Sequence, residues 1–245
     1  MLIIDTRHFF FLKKKEIWFY NEEPHDEAAY TVYSYVRQHL TFKKRFDAQS
    51  AEQTLTIDLH RSEADIFKQI SRTFRYHIHK ATRHGIVFEN LASPRIEECK
   101  DLIASFNAFA DQKKIRRAGK KRVFALRQTG NLFITRAKKD DHALVTHVYL
   151  GDGSRAVLLY SFHSNLPVAA SERGYANKFL HWQDILFFKK QNYATYDLGG
   201  INSETVPGIT HFKLGFGGKE ETIQNYIRVA SWIRPVFSMY KKMFG

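Results

Sequence analysis

The 245-residue sequence predicts an α/β (α+β) fold in which helices flank a mixed, mostly antiparallel sheet. Three apolar runs rich in β-branched and aromatic residues, NLFITRA, HALVTHVYL and RAVLLYSFHS, indicate consecutive strands, and the Asp152-Gly153 pair predicts a hairpin turn. A helix, NKFLHWQDILFFKKQN, and a short strand, YATYDLGG, follow. The second half therefore predicts an antiparallel sheet that ends in one strand–helix–strand crossover.

Helices are also predicted ahead of these strands. Ser62 has the character of an N-cap, and helical spacing continues from it until Gly85, so we expect one helix there. Its apolar positions are Ile66, Ile70, Phe74, Ile78 and Ala81. A second helix is predicted over residues 94–114, and a shorter one in KKRVFALRQTG ends at Gly130.

The first 60 residues are rich in predicted strands. Aromatic or β-branched runs, separated by charged turns, occur as LIID, FFFL, EIWFY, AAYTVYSYV and LTIDL. We expect either an abbreviated β-rich region over residues 1–60 with the main domain over residues 61–245, or one continuous domain.

Composition narrows the function classes. The net charge of +13 attracts polyanions such as nucleic acid, diphosphate ligands or an anionic membrane face. A single cysteine excludes an intramolecular disulfide and a cysteine zinc cluster, and the 12 histidines show no metal-binding spacing, so we expect no metal. The start of the chain lacks the features of a signal peptide, and we expect a cytoplasmic protein.

Several polar residues are candidates for chemistry. Arg72, Arg75, His79 and Arg83 form a basic stripe on the first predicted helix, either a solvated surface or a phosphate-facing ridge. The segment SERGYANK lies before the predicted start of a helix, where free N–H groups and two cations favour a pyrophosphate, although an ordinary capped loop fits equally well. His163, at a predicted strand end, is either a general base or a structural histidine.

Two motifs near the carboxyl end, YDLGGI and FKLGFGG, resemble those of a known family. Together with a tryptophan on the preceding helix, they are similar to motifs of the Fem-type nonribosomal peptidyltransferases and their shorter acyltransferase relatives in the Gcn5-related N-acetyltransferase (GNAT) superfamily. The matching residues are Trp182, Tyr196, Asp197, Gly199, Gly200, Gly208, Phe212, Lys213, Phe216, Gly217 and Gly218. An R-x-x-I-x-K-A pattern earlier in the chain also resembles the family, at Arg75, Ile78, Lys80 and Ala81.

The resemblance implies a GNAT-like fold and direct attack of an amine on an activated acyl donor, without a covalent enzyme intermediate. It implies that Lys213 lies near the reacting carbonyl or the acceptor's phosphates, and we expect Asp197 and His163 to be catalytic with it. The general base is open among Asp197, His163, His211 and a relayed water. The expected donor-binding residues are Arg173, Gly174, Asn177 and Lys178. The expected acceptor-binding residues are Arg75, Lys80 and Phe212.

The expected reaction moves an acyl group from acyl-CoA to the amine of a nucleotide-linked amino sugar, for cell-surface polysaccharide biosynthesis. One alternative is aminoacyl transfer from charged tRNA to a peptidoglycan precursor. A second alternative, from another class, is a polyanion-binding module without catalysis. The aromatic and basic tail around Phe237 and Lys241 is open to peripheral membrane contact, packing against the domain or homodimer formation.

Overall fold

The computed structural model describes residues 1–8, 12–19, 30–36 and 48–235. The strands are β1 Leu2–His8, β2 Leu12–Trp18, β3 Tyr30–Val36, β4 Ala48–Asp58, β5 Val87–Ala92, β6 Leu132–Lys139, β7 His142–Gly151, β8 Arg155–His163, β9 Thr195–Ile201 and β10 Lys219–Val229. The helices are α1 Glu63–Gln69, α2 Arg72–Arg83, α3 Ile96–Lys113, α4 Lys120–Gln128, α5 Ala170–Lys190 and α6 Pro207–Leu214, and a 3-10 turn follows at Ser231–Ile233.

The chain divides into two compact units. Unit 1 comprises Met1–Gln53 and Thr222–Gly245, and unit 2 comprises Thr54–Glu221. The division therefore falls within β4 and within β10. Residues 54–60 belong to unit 2, whereas the expected domain boundary lies at residue 60.

Unit 1 is built from strands. β1 pairs antiparallel with β2, β2 pairs parallel with β3, and β3 pairs antiparallel with β10. Ile17, Tyr33 and Val36 form its buried core, and Tyr226 packs against them. Most of the predicted FFFL strand and the predicted contacts of the tail, including Phe237 and Lys241, fall outside the described residues.

Unit 2 confirms the predicted mixed, mostly antiparallel sheet flanked by helices. Its strand order is β4-β9-β8-β7-β6-β5. The pairs from β5 to β8 are antiparallel, and β8 pairs parallel with β9 after the α5 crossover. β5 was not predicted, since its side chains are exposed or half-buried without regular alternation.

The single helix predicted after Ser62 is wrong. Ile70 adopts an extended conformation, with ψ of 135°, and the segment forms two helices, α1 and α2. Each has its own serine N-cap: Ser62 accepts a hydrogen bond from the Asp65 N–H, and Ser71 accepts one from the Phe74 N–H. Gly85, at φ of +75°, follows the end of α2 as predicted.

The segment SERGYANK is helical, which corrects the predicted helix start. α5 begins at Ala170, seven residues before the expected start at Asn177, and Arg173 already donates its N–H to the carbonyl of Ala169. The segment forms a helix rather than the predicted loop because none of its residues except Gly174 strongly disfavours a helix.

The expected glycine-rich loop after β9 also contains a helix, α6, which begins at Pro207. A tight turn follows, in which Gly217 and Gly218 have φ of +73° and +102°. A Cβ atom on Gly218 would lie 2.5 Å from the Thr56 carbonyl oxygen, so the turn needs glycine to pack against β4.

Candidate functional site

The pairing between β8 and β9 is short. It joins Arg155, Ala156 and Val157 to Thr195, Tyr196 and Asp197, and these are the only ladder pairs between the two strands in the described chain. Next to this end, β8 bulges where Leu158 pairs with Tyr149 and Tyr160 pairs with Val148. Beyond Val157 and Asp197 the two strands form no ladder with each other, and at the end of β9 the Gly199 N–H donates to Asp197 Oδ1 while the Gly200 carbonyl accepts from Lys213.

Gly199 lies where this pairing ends. Its φ is +77°, and a Cβ atom there would lie 3.1 Å from the Leu158 carbonyl oxygen and 3.6 Å from Lys213 Nζ. Only glycine fits this backbone conformation and this approach without strain. The YDLGG motif thus brings backbone close to the lysine of the second motif.

Three lysines from different elements form what we call the lysine cluster: Lys80 on α2, Lys178 on α5 and Lys213 on α6. Burial, Lys178 and Lys80 lower the pKa of His77, and burial, His147, Lys213 and Lys178 lower that of His181, so Lys178 acts on one histidine together with each of the other two lysines. Their ammonium groups bind protein oxygens only: Lys80 donates to the Tyr175 hydroxyl at 3.2 Å, Lys178 to the Gly174 carbonyl at 3.1 Å and Lys213 to the Gly200 carbonyl at 2.7 Å. Across residues 48–235, no carboxylate forms an ion pair with any of them.

Burial lowers the pKa of two members of the cluster, Lys213 and Lys178. It lowers the pKa of Lys213 to about 8, and the nearby Asp197 carboxylate opposes this shift. Burial also lowers the pKa of Lys178. Lys178 lies over the ring of Phe74 at 4.7 Å and over that of Phe212 at 5.4 Å. The cluster is therefore a partly desolvated cationic site on an aromatic floor, which strengthens its attraction for an anion.

Asp197 lies beneath this surface and holds the strands together. Arg155 donates two hydrogen bonds to its Oδ2, at 2.9 and 2.6 Å, while the Thr54 hydroxyl and the Gly199 N–H donate to its Oδ1. Burial raises the pKa of Asp197, and Arg155 and these hydrogen bonds oppose that rise. Arg155 also pairs with Glu221 at 3.0 Å. Both carboxylate oxygens of Asp197 are thus engaged by protein groups.

A buried polar network lies behind the lysine cluster. Tyr149 donates to Asp184 Oδ2 at 2.6 Å and lies 2.7 Å from the Tyr196 hydroxyl, which lies 2.6 Å from His181 Nδ1. His147 Nδ1 also contacts Asp184 Oδ2, at 2.8 Å. Burial raises the pKa of both tyrosines and lowers that of His181 well below its ordinary value, so all three side chains are neutral near pH 7.

Three members of this network have ligand atoms within 4.8 Å of one another, namely His147, His181 and Asp184. Both ring nitrogens of His147 and one of His181 are already bonded to protein groups. Asp184 Oδ1 is buried without a hydrogen-bond partner among the described residues. The geometry is that of a hydrogen-bond network, in which an ion would have to displace several existing bonds.

The structure brings four of the predicted site residues together and assigns local contacts to others. Lys80, Lys178, Phe212 and Lys213 share the cluster. Asn177 lies behind it, with Oδ1 2.8 Å from His147 Nε2, and Gly174 accepts the Lys178 hydrogen bond.

Two predicted arginines lie elsewhere in the local structure. Arg75 donates to the carbonyls of Lys68 and Ile70, both at 2.7 Å, and so closes the end of α1. Arg173 donates to the Val168 carbonyl at 2.7 Å, within the segment between β8 and α5. Both guanidinium groups therefore have backbone partners, and their predicted roles in substrate binding stay predictions.

His163 lines a separate cavity of about 580 Å³ beside α3, together with residues that include Asp101, Arg136 and Thr146. Its Nδ1 lies 3.0 Å from the Ser164 carbonyl oxygen. His211 is exposed on α6. Their predicted part in proton transfer stays a prediction.

The buried network was missed by the sequence analysis, except for Tyr196 and Asn177. The available signal is on α5, where His181 and Asp184 are three residues apart and share the helix face of the buried Leu180, Ile185 and Phe188. Ionisable residues on an apolar face require partners, and those partners come from β7 and β9.

Several solved structures share the fold of this chain. FemX shares 12% identity over 76% of this chain and 63% of its own, with a TM-score of 0.59. L-PGS from Bacillus licheniformis shares 11% identity over 88% of this chain and 73% of its own, with a TM-score of 0.56. The C-terminal domain of a putative lysylphosphatidylglycerol synthetase from Agrobacterium fabrum shares 12% identity over 86% and 72%, with a TM-score of 0.54.

These likenesses establish the fold. This chain spans about 63% of the FemX chain. No protein-family model matches the sequence, and no curated protein matches it. Among the described residues, no helix has the length and apolar character to cross a membrane.

Proposed function

We propose that this chain is an N-acyltransferase in which an amine attacks an activated acyl donor directly, next to Lys213, while the lysine cluster holds phosphate groups of a substrate. The observation that carries this proposal is the lysine cluster itself. Its three ammonium groups come from three elements and have no carboxylate partner in the described chain, and that of Lys213 donates to the Gly200 carbonyl next to the end of the β8–β9 pairing. Unpaired cations that converge on a partly buried surface favour a bound anion.

Lys213 is suited to stabilise the oxyanion that develops on the acyl carbonyl. The attack forms a bond between nitrogen and the acyl carbon, and the bond from that carbon to the donor's sulfur or oxygen breaks, with its electron pair leaving on the donor. A preorganised cation next to the developing charge lowers the barrier, and removal of one such group costs roughly 10²–10³ in rate. The neighbouring glycines allow the backbone to approach the same atoms.

We propose acyl-CoA as the donor and a nucleotide-linked amino sugar as the acceptor. Both molecules carry a diphosphate, and Lys80 and Lys178 supply two cations at about the same level of burial. Backbone groups of β8 beyond Val157, where its pairing with β9 ends, would hold the extended part of the donor by strand-like hydrogen bonds.

A second donor, aminoacyl-tRNA, is favoured by the structure of the segment between β8 and α5. This segment contains Pro167 and no glycine, and Glu172 in the first turn of α5 pairs with Lys139 at 2.7 Å. An acidic side chain there opposes a pyrophosphate at the helix N-terminus. The phosphates of a tRNA end would not have to bind at the N-terminus of α5. They could contact α2 instead, where the exposed Arg72 and Arg83 add to the positive surface.

Calorimetry with coenzyme A and transfer from radiolabelled aminoacyl-tRNA distinguish the two donors. The acyl-CoA proposal predicts binding that Lys178→Ala weakens about tenfold or more, whereas Lys190→Ala, an exposed lysine on the same helix, leaves it unchanged. If coenzyme A does not bind at millimolar concentration and label is transferred from charged tRNA, the acyl-CoA proposal is wrong and aminoacyl-tRNA is the donor. No binding and no transfer with either donor would overturn both.

A further inference from the structure

We propose that His181 accepts the proton that the attacking amine loses, and that Tyr196, Tyr149 and Asp184 position it by fixing its tautomer. This inference rests on the proposed function and adds a catalytic residue to it. The sequence leaves the general base open among Asp197, His163, His211 and a relayed water, and His181 is not one of these candidates.

The direction of the hydrogen bonds follows from the number of protons available. The Asp184 carboxylate only accepts, and we assign the single hydroxyl proton of Tyr149 to its Oδ2, at 2.6 Å, rather than to His147 Nδ1, at the longer distance of 3.1 Å. Tyr149 must then accept from Tyr196 at 2.7 Å, which uses the hydroxyl proton of Tyr196. The Tyr196 oxygen, in turn, accepts from His181 Nδ1 at 2.6 Å. Neutral His181 is therefore protonated on Nδ1, and its Nε2 carries a lone pair.

His181 Nε2 has no hydrogen-bond partner among the described residues. The ring lies against the two phenylalanines of the second motif, with centroid distances of 5.7 Å to Phe212 and 4.8 Å to Phe216. Phe212 precedes Lys213 and lies under the ammonium group of Lys178. The His181 ring therefore packs against the aromatic side chains that lie under Lys178 and next to Lys213, where the amine and the acyl donor are proposed to meet.

The charges around His181 keep it neutral until a proton arrives. Its side chain is 1% exposed, and burial, His147, Lys213 and Lys178 all lower its pKa well below the ordinary value. The titratable groups that face it are His147 and Tyr149 on β7, Lys178 and Asp184 on α5, Tyr196 on β9 and Lys213 on α6.

His181 and the residues that position it account for the proton that the amine loses when it attacks the acyl donor. When the amine attacks, its nitrogen becomes positively charged and strongly acidic, so a weakly basic imidazole is sufficient to remove the proton, directly or through one water. The proton adds to Nε2, and the resulting imidazolium is stabilised through Tyr196 and Tyr149 by the Asp184 carboxylate. The leaving group departs with its electron pair and takes a proton from solvent, and His181 later releases its own.

The first experiment is nitrogen-15 NMR of the histidine side chains in the full chain. The expected result is a His181 ring protonated on Nδ1 and unprotonated on Nε2 throughout pH 6–8, with that preference lost in Tyr196→Phe. A ring protonated on Nε2 in the wild-type chain would overturn the inference whether or not the protein is active, because Nε2 could not then accept a proton.

The second experiment is acyl transfer by His181→Gln as a function of pH. We expect a loss in kcat of about 10²-fold or more and the disappearance of the acidic limb of the pH profile, whereas His142→Gln, at an exposed histidine on β7, keeps the wild-type kcat and the acidic limb. Transfer at the wild-type rate by folded His181→Gln overturns this inference alone, whereas no transfer by the wild-type chain overturns the proposed function. If His181→Gln does not fold, the pH profile of Tyr196→Phe decides, since an unchanged acidic limb there contradicts the assignment.

Discussion

At the scale of single residues, the most informative group is Lys213. Its ammonium group donates to the Gly200 carbonyl at 2.7 Å, next to the end of the β8–β9 pairing. Because burial lowers its pKa to about 8, the side chain changes charge within the pH range in which enzymes are assayed. The charged form, which our mechanism requires, is present below pH 8 and is lost above it.

We therefore expect the rate of acyl transfer to fall as pH rises through about 8. Lys213→Arg should retain part of the activity and move this basic limb beyond the measurable range, since a guanidinium stays charged. The measurement is kcat against pH for both proteins with saturating substrates. A basic limb that stays in place in Lys213→Arg would show that another group causes it.

Asp197 belongs to a family-like motif, but its carboxylate has structural contacts on both oxygens. The sequence places it in YDLGG, and the structure surrounds its carboxylate with Arg155, Thr54 and the Gly199 N–H. Loss of Arg155 would leave a buried charge without compensation, which typically costs about 3–5 kcal/mol. We accordingly assign Asp197 to the support of β9 in our proposal and give the proton transfer to His181.

At the scale of elements, the turn from α6 to β10 sets the position of Lys213. Gly217 and Gly218 both have positive φ, and Gly218 lies against the backbone of β4 at Thr56. Gly215, at the end of α6, lies against the ring of Phe74 on α2. The glycines of the second motif thus let α6 pack closely on its neighbours.

Gly218→Ala should destabilise the protein by about 1–3 kcal/mol, because the new Cβ meets the Thr56 carbonyl oxygen and the backbone is strained. Gly208→Ala is the matched control: it lies inside α6, has open space around it and removes a helix-weakening glycine, so it should be neutral or stabilising by up to about 1 kcal/mol. Denaturant unfolding of both variants checks this. Equal stability of the two would contradict the account of the turn.

The elements that the sequence predicts well are those with a strong local signal. The hairpin of β7 and β8, the helix α3 and the crossover from β8 to β9 follow from apolar periodicity and turn residues. The break between α1 and α2 was missed because helical spacing continues across Ile70, and only Ser71 signals a second N-cap. The early start of α5 was missed because Gly174 resembles a loop residue, although the helix tolerates it.

The site required information that local patterns do not contain. Lys80, Lys178 and Lys213 are separated by about 100 and 35 residues, and the packing of α2, α5 and α6 brings them together. The family resemblance indicated each lysine separately. The buried network was less accessible still, since its partners lie on β7, α5 and β9 and become neighbours only in the folded chain.

At the scale of the whole molecule, the net charge of +13 favours anionic substrates over the entire surface. A general field and a specific site differ in their response to substitution. Removal of any one exposed lysine changes a field of this size only slightly, whereas our proposal predicts that removal of a lysine from the cluster removes a direct contact with a substrate phosphate. The choice of variants therefore separates specific recognition from nonspecific attraction, including that of a polyanion-binding module.

The most direct test of the central claim is mass spectrometry of the product after incubation with an acyl donor, either acyl-CoA or aminoacyl-tRNA, and a nucleotide-linked amino sugar. We predict an acceptor that gains the mass of the acyl group, a rate that falls about 10²-fold or more in Lys213→Ala, and no change in Lys190→Ala. Polyanion binding without acylated product from either donor, or full transfer by a folded Lys213→Ala variant, would contradict the account.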